Sequence, residues 1–163
     1  MKYLYYTIIF SIISLIQVSF LNNIHFSAPY LNLVFILLFA YYLARKSTLS
    51  LFLFLFSGVI LDLLTLSRIG ATSTAFFVSL LIYTSCARVF PSELLGSFFS
   101  TAIAGYIYFI LNGIVIKPSE YLDMRLYLLA IPFSIISSLF IILFRAGIEM
   151  IKTKKTGNKI RID

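Results

Sequence analysis

The chain alternates between long apolar stretches and short polar breaks, and this pattern occurs six times along its 163 residues. Each stretch is close to the roughly 20 residues that a helix needs to cross the hydrocarbon layer of a membrane. The stretches lack the every-second-residue alternation of a barrel strand, so they predict helices. We therefore expect an all-α integral membrane protein, a compact six-helix transmembrane bundle. Its helices are predicted at about residues 3–21, 24–44, 49–66, 71–87, 94–116 and 126–144.

Composition supports the membrane assignment. Hydrophobic residues make up 61% of the chain and charged residues 12%, and the mean hydropathy is +1.02. A water-soluble fold of this size could not bury so much apolar surface. Almost every residue is needed to cross the membrane, which leaves no room for a soluble catalytic domain. We expect a transmembrane domain over residues 1–145 and a basic tail over residues 146–163.

The basic residues predict the orientation of the bundle. With six crossings and a cytoplasmic N terminus, ten of the 13 Lys and Arg residues lie on the cytoplasmic side. This excess agrees with the positive-inside rule, so both termini are expected in the cytosol. The basic tail is expected to be attracted to anionic lipid head groups, and nucleic acid binding is not expected.

One acidic residue, Asp62, lies inside an apolar stretch, between Gly58 and Gly70. An ionisable group within a membrane segment is costly and usually marks a functional site. Gly58 and Asp62 are four residues apart, so they share one face of the predicted third helix. Asp62 is expected about one turn, roughly 6 Å, below the outer end of that helix, where its carboxylate can reach interfacial water.

The sequence leaves two interpretations of Asp62 open. The first is an ion pair with Arg68, which would pin the turn between the third and fourth helices. Gly70 suits such a turn, because glycine can adopt a positive φ. The second is recognition, in which the carboxylate contacts a partner or a ligand. The candidate site residues are Asp62, Arg68, Gly58 and Gly70.

Other chemically reactive residues are sparse. The chain has one histidine, His25, which has no cysteine or acid at the spacing typical of metal sites. Its one cysteine, Cys86, has no second cysteine with which to form an internal disulfide. The sequence has no phosphate-binding loop, nucleophile elbow or pair of catalytic carboxylates. We therefore expect neither enzymatic activity nor a metal or other cofactor.

A set of polar and small residues occurs in a distinctive order over the first half of the chain. The first of these residues lies in the first helix and the next group lies at the start of the second helix. The last two groups contain two glycines with an acid between them. The residues and segments are Gln17, Pro29-Tyr-Leu-Asn32-Leu-Val-Phe, Ser57-Gly58-Val-Ile-Leu-Asp62-Leu-Leu and Ile69-Gly70.

This order resembles that of the bacterial rod shape-determining protein MreD family. The resemblance implies a non-enzymatic multi-pass subunit of the cell-elongation complex in the bacterial cytoplasmic (inner) membrane, supporting cell shape and peptidoglycan synthesis. It implies binding to the scaffold MreC and, through MreC, association with the filament protein MreB, the polymerase RodA and its penicillin-binding transpeptidase. Pro29 and Asn32 would be further family-pattern positions. We hypothesise that Asp62 and Arg68 shape the surface or cavity near the MreC helix.

An alternative function is the substrate-binding subunit of a small-molecule, vitamin-type transporter. The MreD family is similar in architecture to the six-helix vitamin-binding subunits of energy-coupling-factor transporters. Those subunits typically dock their energising partner through Ala-x-x-x-Ala spacing on helix one, whereas this helix has Ser11 and Ser14 among isoleucines. A cavity lined by Asp62, Tyr108 and Asn112 would nevertheless suit a ligand. An assembly subunit of some other membrane complex is a third possibility.

Overall fold

A computed structural model gives the fold and describes residues 2–19, 32–45, 48–65, 68–90, 94–116 and 124–157. These residues form six α-helices, which confirms the predicted number and type of elements. The helices are α1 Lys2–Ser19, α2 Leu33–Arg45, α3 Thr48–Leu64, α4 Ala71–Val89, α5 Leu95–Ile116 and α6 Met124–Gly157.

Two helices differ from their predicted bounds. α2 begins at Leu33 rather than near residue 24, and Asn32 caps this start by accepting a hydrogen bond from the Phe35 N–H at 2.9 Å. α6 continues to Gly157, so the helix does not break at the predicted domain boundary after residue 145. An ion pair between Arg145 and Glu149, at 2.8 Å and one turn apart, favours this continuation.

Successive helices run in opposite directions, so α1, α3 and α5 end where α2, α4 and α6 begin. We call this end of the bundle the capped end, because helix starts are hydrogen-bonded there by side chains. The contacts that define it are Gln17 with Val34, Asp62 with Thr72, and Gly113 beside Leu126.

The hydrophobic core is built around α2, which packs against α1, α3 and α6. The ring of Phe35, which is fully buried, lies 6.1 Å from Phe76 of α4, 4.5 Å from Tyr108 of α5 and 6.0 Å from Phe133 of α6. Aromatic pairs at such distances attract each other beyond the effect of burial alone. One side chain of α2 thus joins four helices.

The outer surface of the bundle is apolar, and many of the small polar residues are inside. Serine and threonine side chains on α1, α3, α4, α5 and α6 are buried. Lipid favours this distribution, because small polar residues allow helices to approach closely while apolar side chains face the acyl chains. The exposed large apolar residues include Ile8, Leu55, Leu81, Phe99 and Leu139.

Three helices are long and apolar enough to cross a membrane, namely Ala71–Val89, Leu95–Val115 and Met124–Ile151. The apolar helices α1, α2 and α3 are shorter within the described residues. These helices indicate a helical membrane protein. Six complete crossings, cytoplasmic termini and the likeness to energy-coupling-factor subunits stay predictions.

Candidate functional site

Asp62 lies in the last turn of α3 and is fully buried, with 0% of its surface exposed. Its Oδ2 atom accepts a hydrogen bond from the Gly70 N–H at 2.7 Å. The Thr72 N–H lies 3.1 Å from Oδ1 and 3.2 Å from Oδ2. Gly70 and Thr72 flank Ala71, the first residue of α4. Asp62 therefore caps the start of α4 from a different helix.

This capping explains how the bundle accommodates a carboxylate. The first N–H groups of a helix have no partner within that helix and carry the positive end of its dipole. Hydrogen bonds to a charged group contribute roughly 1.5–3 kcal/mol each. The expectation that Asp62 leans outward into interfacial water is wrong, because the start of α4 solvates the carboxylate inside the protein.

Gly70 gives the chain the turn that aims these N–H groups at Asp62. Its φ is +93°, in the left-handed region that glycine adopts without steric cost. The turn is closed by a hydrogen bond from the Ala71 N–H to the Arg68 carbonyl, at 3.0 Å. The Thr74 N–H then donates to the Gly70 carbonyl at 2.9 Å and begins the helical pattern. Gly70 thus adopts the positive φ that we noted glycine can supply at such a turn.

Gly58 allows α3 and α4 to approach closely enough for this cap. A Cβ on Gly58 would fall 2.5 Å from the Ser73 Cα and 2.6 Å from the Ser73 backbone N. Ser73 also joins the two helices, since its Oγ donates a hydrogen bond to the Leu55 carbonyl at 2.9 Å. The absence of a side chain at Gly58 therefore sets the distance between α3 and α4.

Arg68 does not take part in the cap. It is exposed on the turn before α4, and the described turn has no ion pair between its guanidinium and the buried Asp62 carboxylate. The interpretation that an Asp62–Arg68 pair pins this turn is therefore wrong. The backbone N–H groups of Gly70 and Thr72 bind the carboxylate instead.

A second cap lies at the start of α2. The Gln17 side chain of α1 accepts a hydrogen bond from the Val34 N–H at 3.0 Å. Asn32 caps the same helix through its Oδ1 atom, and its Nδ2 atom donates to the Tyr108 hydroxyl at 2.6 Å. Pro29, the remaining family-pattern position, lies outside the described residues.

Helix α5 connects the two caps. The ring of Tyr108 stacks on Phe35 at 4.5 Å and on Phe76 at 5.1 Å, while its hydroxyl binds Asn32. One turn further along α5, the Asn112 Oδ1 atom lies 3.5 Å from the Thr72 Oγ1 atom, a long contact. Asp62, Tyr108 and Asn112, which would line a ligand cavity under the transporter alternative, thus contact residues of the bundle itself.

The sequence reasoning missed the contributions of Thr72 and Ser73. A usable signal existed, because N–H groups just after a turn glycine need an acceptor, and Asp62 is the nearest acid in sequence. Asn32 also carried a signal that was used only for the family resemblance, since asparagine before an apolar run is a preferred N-cap.

Comparison with known proteins adds no relative to this description. Neither the sequence nor the structure matches a protein-family model, a curated protein or a solved structure. Within the described ranges, no three His, Cys, Asp or Glu side chains are grouped so that they could hold a metal ion. His25 lies outside those ranges.

Proposed function

We propose that this chain is a non-enzymatic membrane subunit of the bacterial cell-elongation complex, as its resemblance to the MreD family implies, and that it binds the scaffold MreC. In this proposal all six helices cross the cytoplasmic membrane and the capped end faces outward. Through MreC the chain joins MreB, RodA and the penicillin-binding transpeptidase. Its basic cytoplasmic tail contacts anionic lipids.

The observation that carries the proposal is the position of the residues on which the resemblance rests. Gln17, Asn32, Gly58, Asp62 and Gly70 are dispersed in sequence, yet all lie at or beside the capped end. Each of them holds a helix start, a turn or a helix crossing in place. Such a set of residues suits a protein that presents a defined surface to another protein.

The same contacts favour a scaffold over a transporter. The carboxylate of Asp62 is bound by backbone N–H groups, and the Tyr108 ring is stacked between two phenylalanines. A ligand in this region would have to displace these interactions, and each buried polar group left unpaired would cost about 1–3 kcal/mol. Contacts within the bundle therefore explain the polar groups at the capped end better than ligand recognition does.

The exposed turn above the cap is the surface that we assign to MreC. Arg68 is exposed, and Ile69 has 71% of its surface exposed. An exposed apolar side chain beside an arginine suits an interface, where arginine is enriched. Asp62 then affects partner binding by holding the turn, whereas Arg68 contacts the partner directly.

Co-purification with MreC tests this assignment. An Arg68→Glu variant reverses a charge on the turn and leaves the buried cap intact. We expect the affinity for MreC to fall about tenfold, which corresponds to about 1.4 kcal/mol of binding free energy. Arg88→Glu is the matched control, because Arg88 is also exposed but lies at the opposite end of α4.

The other outcomes separate the possible functions. Equal MreC recovery with the wild type, Arg68→Glu and Arg88→Glu would contradict the assigned surface. Unchanged recovery and normal rod shape with Asp62→Asn would count against the role of Asp62. Failure of the wild-type chain to recover MreC would contradict the proposed function, and a vitamin co-purifying with the chain would favour the transporter.

A further inference from the structure

A cavity of about 210 Å³ lies between the start of α5 and the second half of α6, at the end of the bundle opposite the capped end. This volume is large enough for several waters or for a small polar group. The proposed function does not involve this cavity. Its lining residues are Leu94, Ser97, Ile142, Arg145, Ala146 and Glu149.

In the proposed topology the cavity lies near the end of the part of α6 that crosses the hydrocarbon layer. α6 has 34 residues, whereas about 20 residues suffice to cross hydrocarbon. Counted from Met124, about 20 residues end just before Arg145. Leu139 and Leu143, which precede Arg145 on the same helix, are exposed apolar side chains. A lipid beside α6 would therefore have its acyl chains against these leucines and its head group near the cavity.

The polar side of the cavity carries one cation and one anion. The Arg145 Nε–H donates to Glu149 Oε1 at 2.8 Å, and an Nη1–H donates to Ser97 Oγ at 3.3 Å. A guanidinium has five N–H donors, so Arg145 can also donate to a further acceptor. Glu149 has a second carboxylate oxygen, and 47% of its side chain is exposed. The cavity therefore presents complementary groups for a head group that carries both charges.

We propose that this cavity binds the head group of phosphatidylethanolamine, a phospholipid with a phosphate and a primary ammonium. The phosphate accepts hydrogen bonds from Arg145, since guanidinium pairs well with phosphate oxygens. The ammonium donates to Glu149. The glycerol head group has neutral hydroxyls in place of the ammonium and so lacks the charge that pairs with Glu149, and a trimethylammonium group has no N–H to donate. The charge pattern therefore selects ethanolamine over glycerol and choline.

Native mass spectrometry of the full-length chain in detergent tests this selection. The probes are phosphatidylethanolamine, phosphatidylcholine and phosphatidylglycerol with identical acyl chains at equal concentration. We expect the wild type to bind the ethanolamine lipid at least about tenfold more tightly than the choline lipid. The glycerol lipid also binds the basic tail, so it is compared only between the wild type and Glu149→Gln, where its binding should not fall. Glu149→Gln should reduce binding of the ethanolamine lipid to the level of the choline lipid, and Arg145→Gln should weaken binding of both. Arg88→Gln, which removes an exposed cation outside the cavity, should leave the preference unchanged.

Two results would overturn the proposal. The first is equal binding of the ethanolamine and choline lipids, or an equal loss of ethanolamine-lipid and glycerol-lipid binding in Glu149→Gln. The second is an equal loss of preference in Arg88→Gln and Glu149→Gln. If Arg145→Gln does not fold, Glu149→Gln decides alone, because it keeps the size of the side chain and its ability to form hydrogen bonds. The measurement needs no MreC, so this proposal can fail while the proposed function stands.

Discussion

Gly58 of α3 lies directly against Ser73 of α4, and a Cβ on Gly58 would fall 2.5 Å from the Cα of Ser73. Gly58 precedes Asp62 by one turn on the same face of α3. The close approach at Gly58 therefore brings the Asp62 carboxylate within reach of the first N–H groups of α4. The helix crossing and the cap depend on each other.

We expect Gly58→Ala to destabilise the bundle by about 1–3 kcal/mol, because the added methyl group meets backbone atoms that cannot turn away. Thermal unfolding in detergent measures the change. Gly147→Ala is the matched control, since nothing lies within 4 Å of a Cβ there. Alanine is the better helix former, so the control should be neutral or slightly stabilising. Equal melting of Gly58→Ala and the wild type would show that α3 and α4 can separate without cost.

Asp62→Asn should also destabilise the bundle, by about 1–3 kcal/mol, because an amide has no charge to offset the helix dipole and one fewer acceptor oxygen. Hydrogen exchange at the Gly70 and Thr72 amides should become faster. Glu149→Gln is the control, since that carboxylate is half exposed and its ion pair is worth at most about 1 kcal/mol. Unchanged exchange at both amides would mean that Asp62 does not hold the start of α4.

Gly70→Ala should lower stability by about 1–2 kcal/mol, because alanine is strained at a φ of +93°. No atom lies within 4 Å of a Cβ at this position, so the cost comes from the backbone alone. Gly70→Asn should recover part of the loss, since asparagine tolerates the left-handed region better than alanine. Unfolding in detergent compares the two, and equal stability of both variants would rule out backbone strain as the cause.

The hydrogen bond between Asn32 and Tyr108 can be measured with a double-mutant cycle. Tyr108→Phe should cost about 1–3 kcal/mol, because it leaves the Asn32 amide without its acceptor. Combined with Asn32→Ala, the two changes should be non-additive by at least about 0.5 kcal/mol. Tyr5→Phe is the control, since Tyr5 is 64% exposed. Additive effects would indicate that the two side chains act independently.

Reporter fusions test the predicted topology. A fluorescent protein fused after Asp163 should fold and fluoresce in the cytosol, and alkaline phosphatase at the same place should be inactive. Phosphatase inserted beside Arg68 should be active, because the α3–α4 turn is predicted to face outward. An active phosphatase after Asp163 would contradict an even number of crossings with a cytoplasmic N terminus.

The number and type of elements could be predicted because both depend on local properties of the chain. Apolar length and polar breaks mark the helices, and α3 lies within two residues of its predicted bounds of 49–66. The end of α6 was not predictable in the same way. Hydropathy indicates where lipid is expected to end, whereas a helix can continue beyond that point, and here α6 is described as far as Gly157.

The sequence by itself determined that the chain is helical and apolar, and that Gly58, Asp62 and Gly70 matter as a group. The four-residue spacing of Gly58 and Asp62 places both on one face of α3, since that follows from the pitch of a helix. The tertiary structure alone decided what the carboxylate binds. Both Arg68 and the start of α4 are near Asp62 in sequence, and the choice between them depends on the α3–α4 separation, which is set by the contact of Gly58 with Ser73.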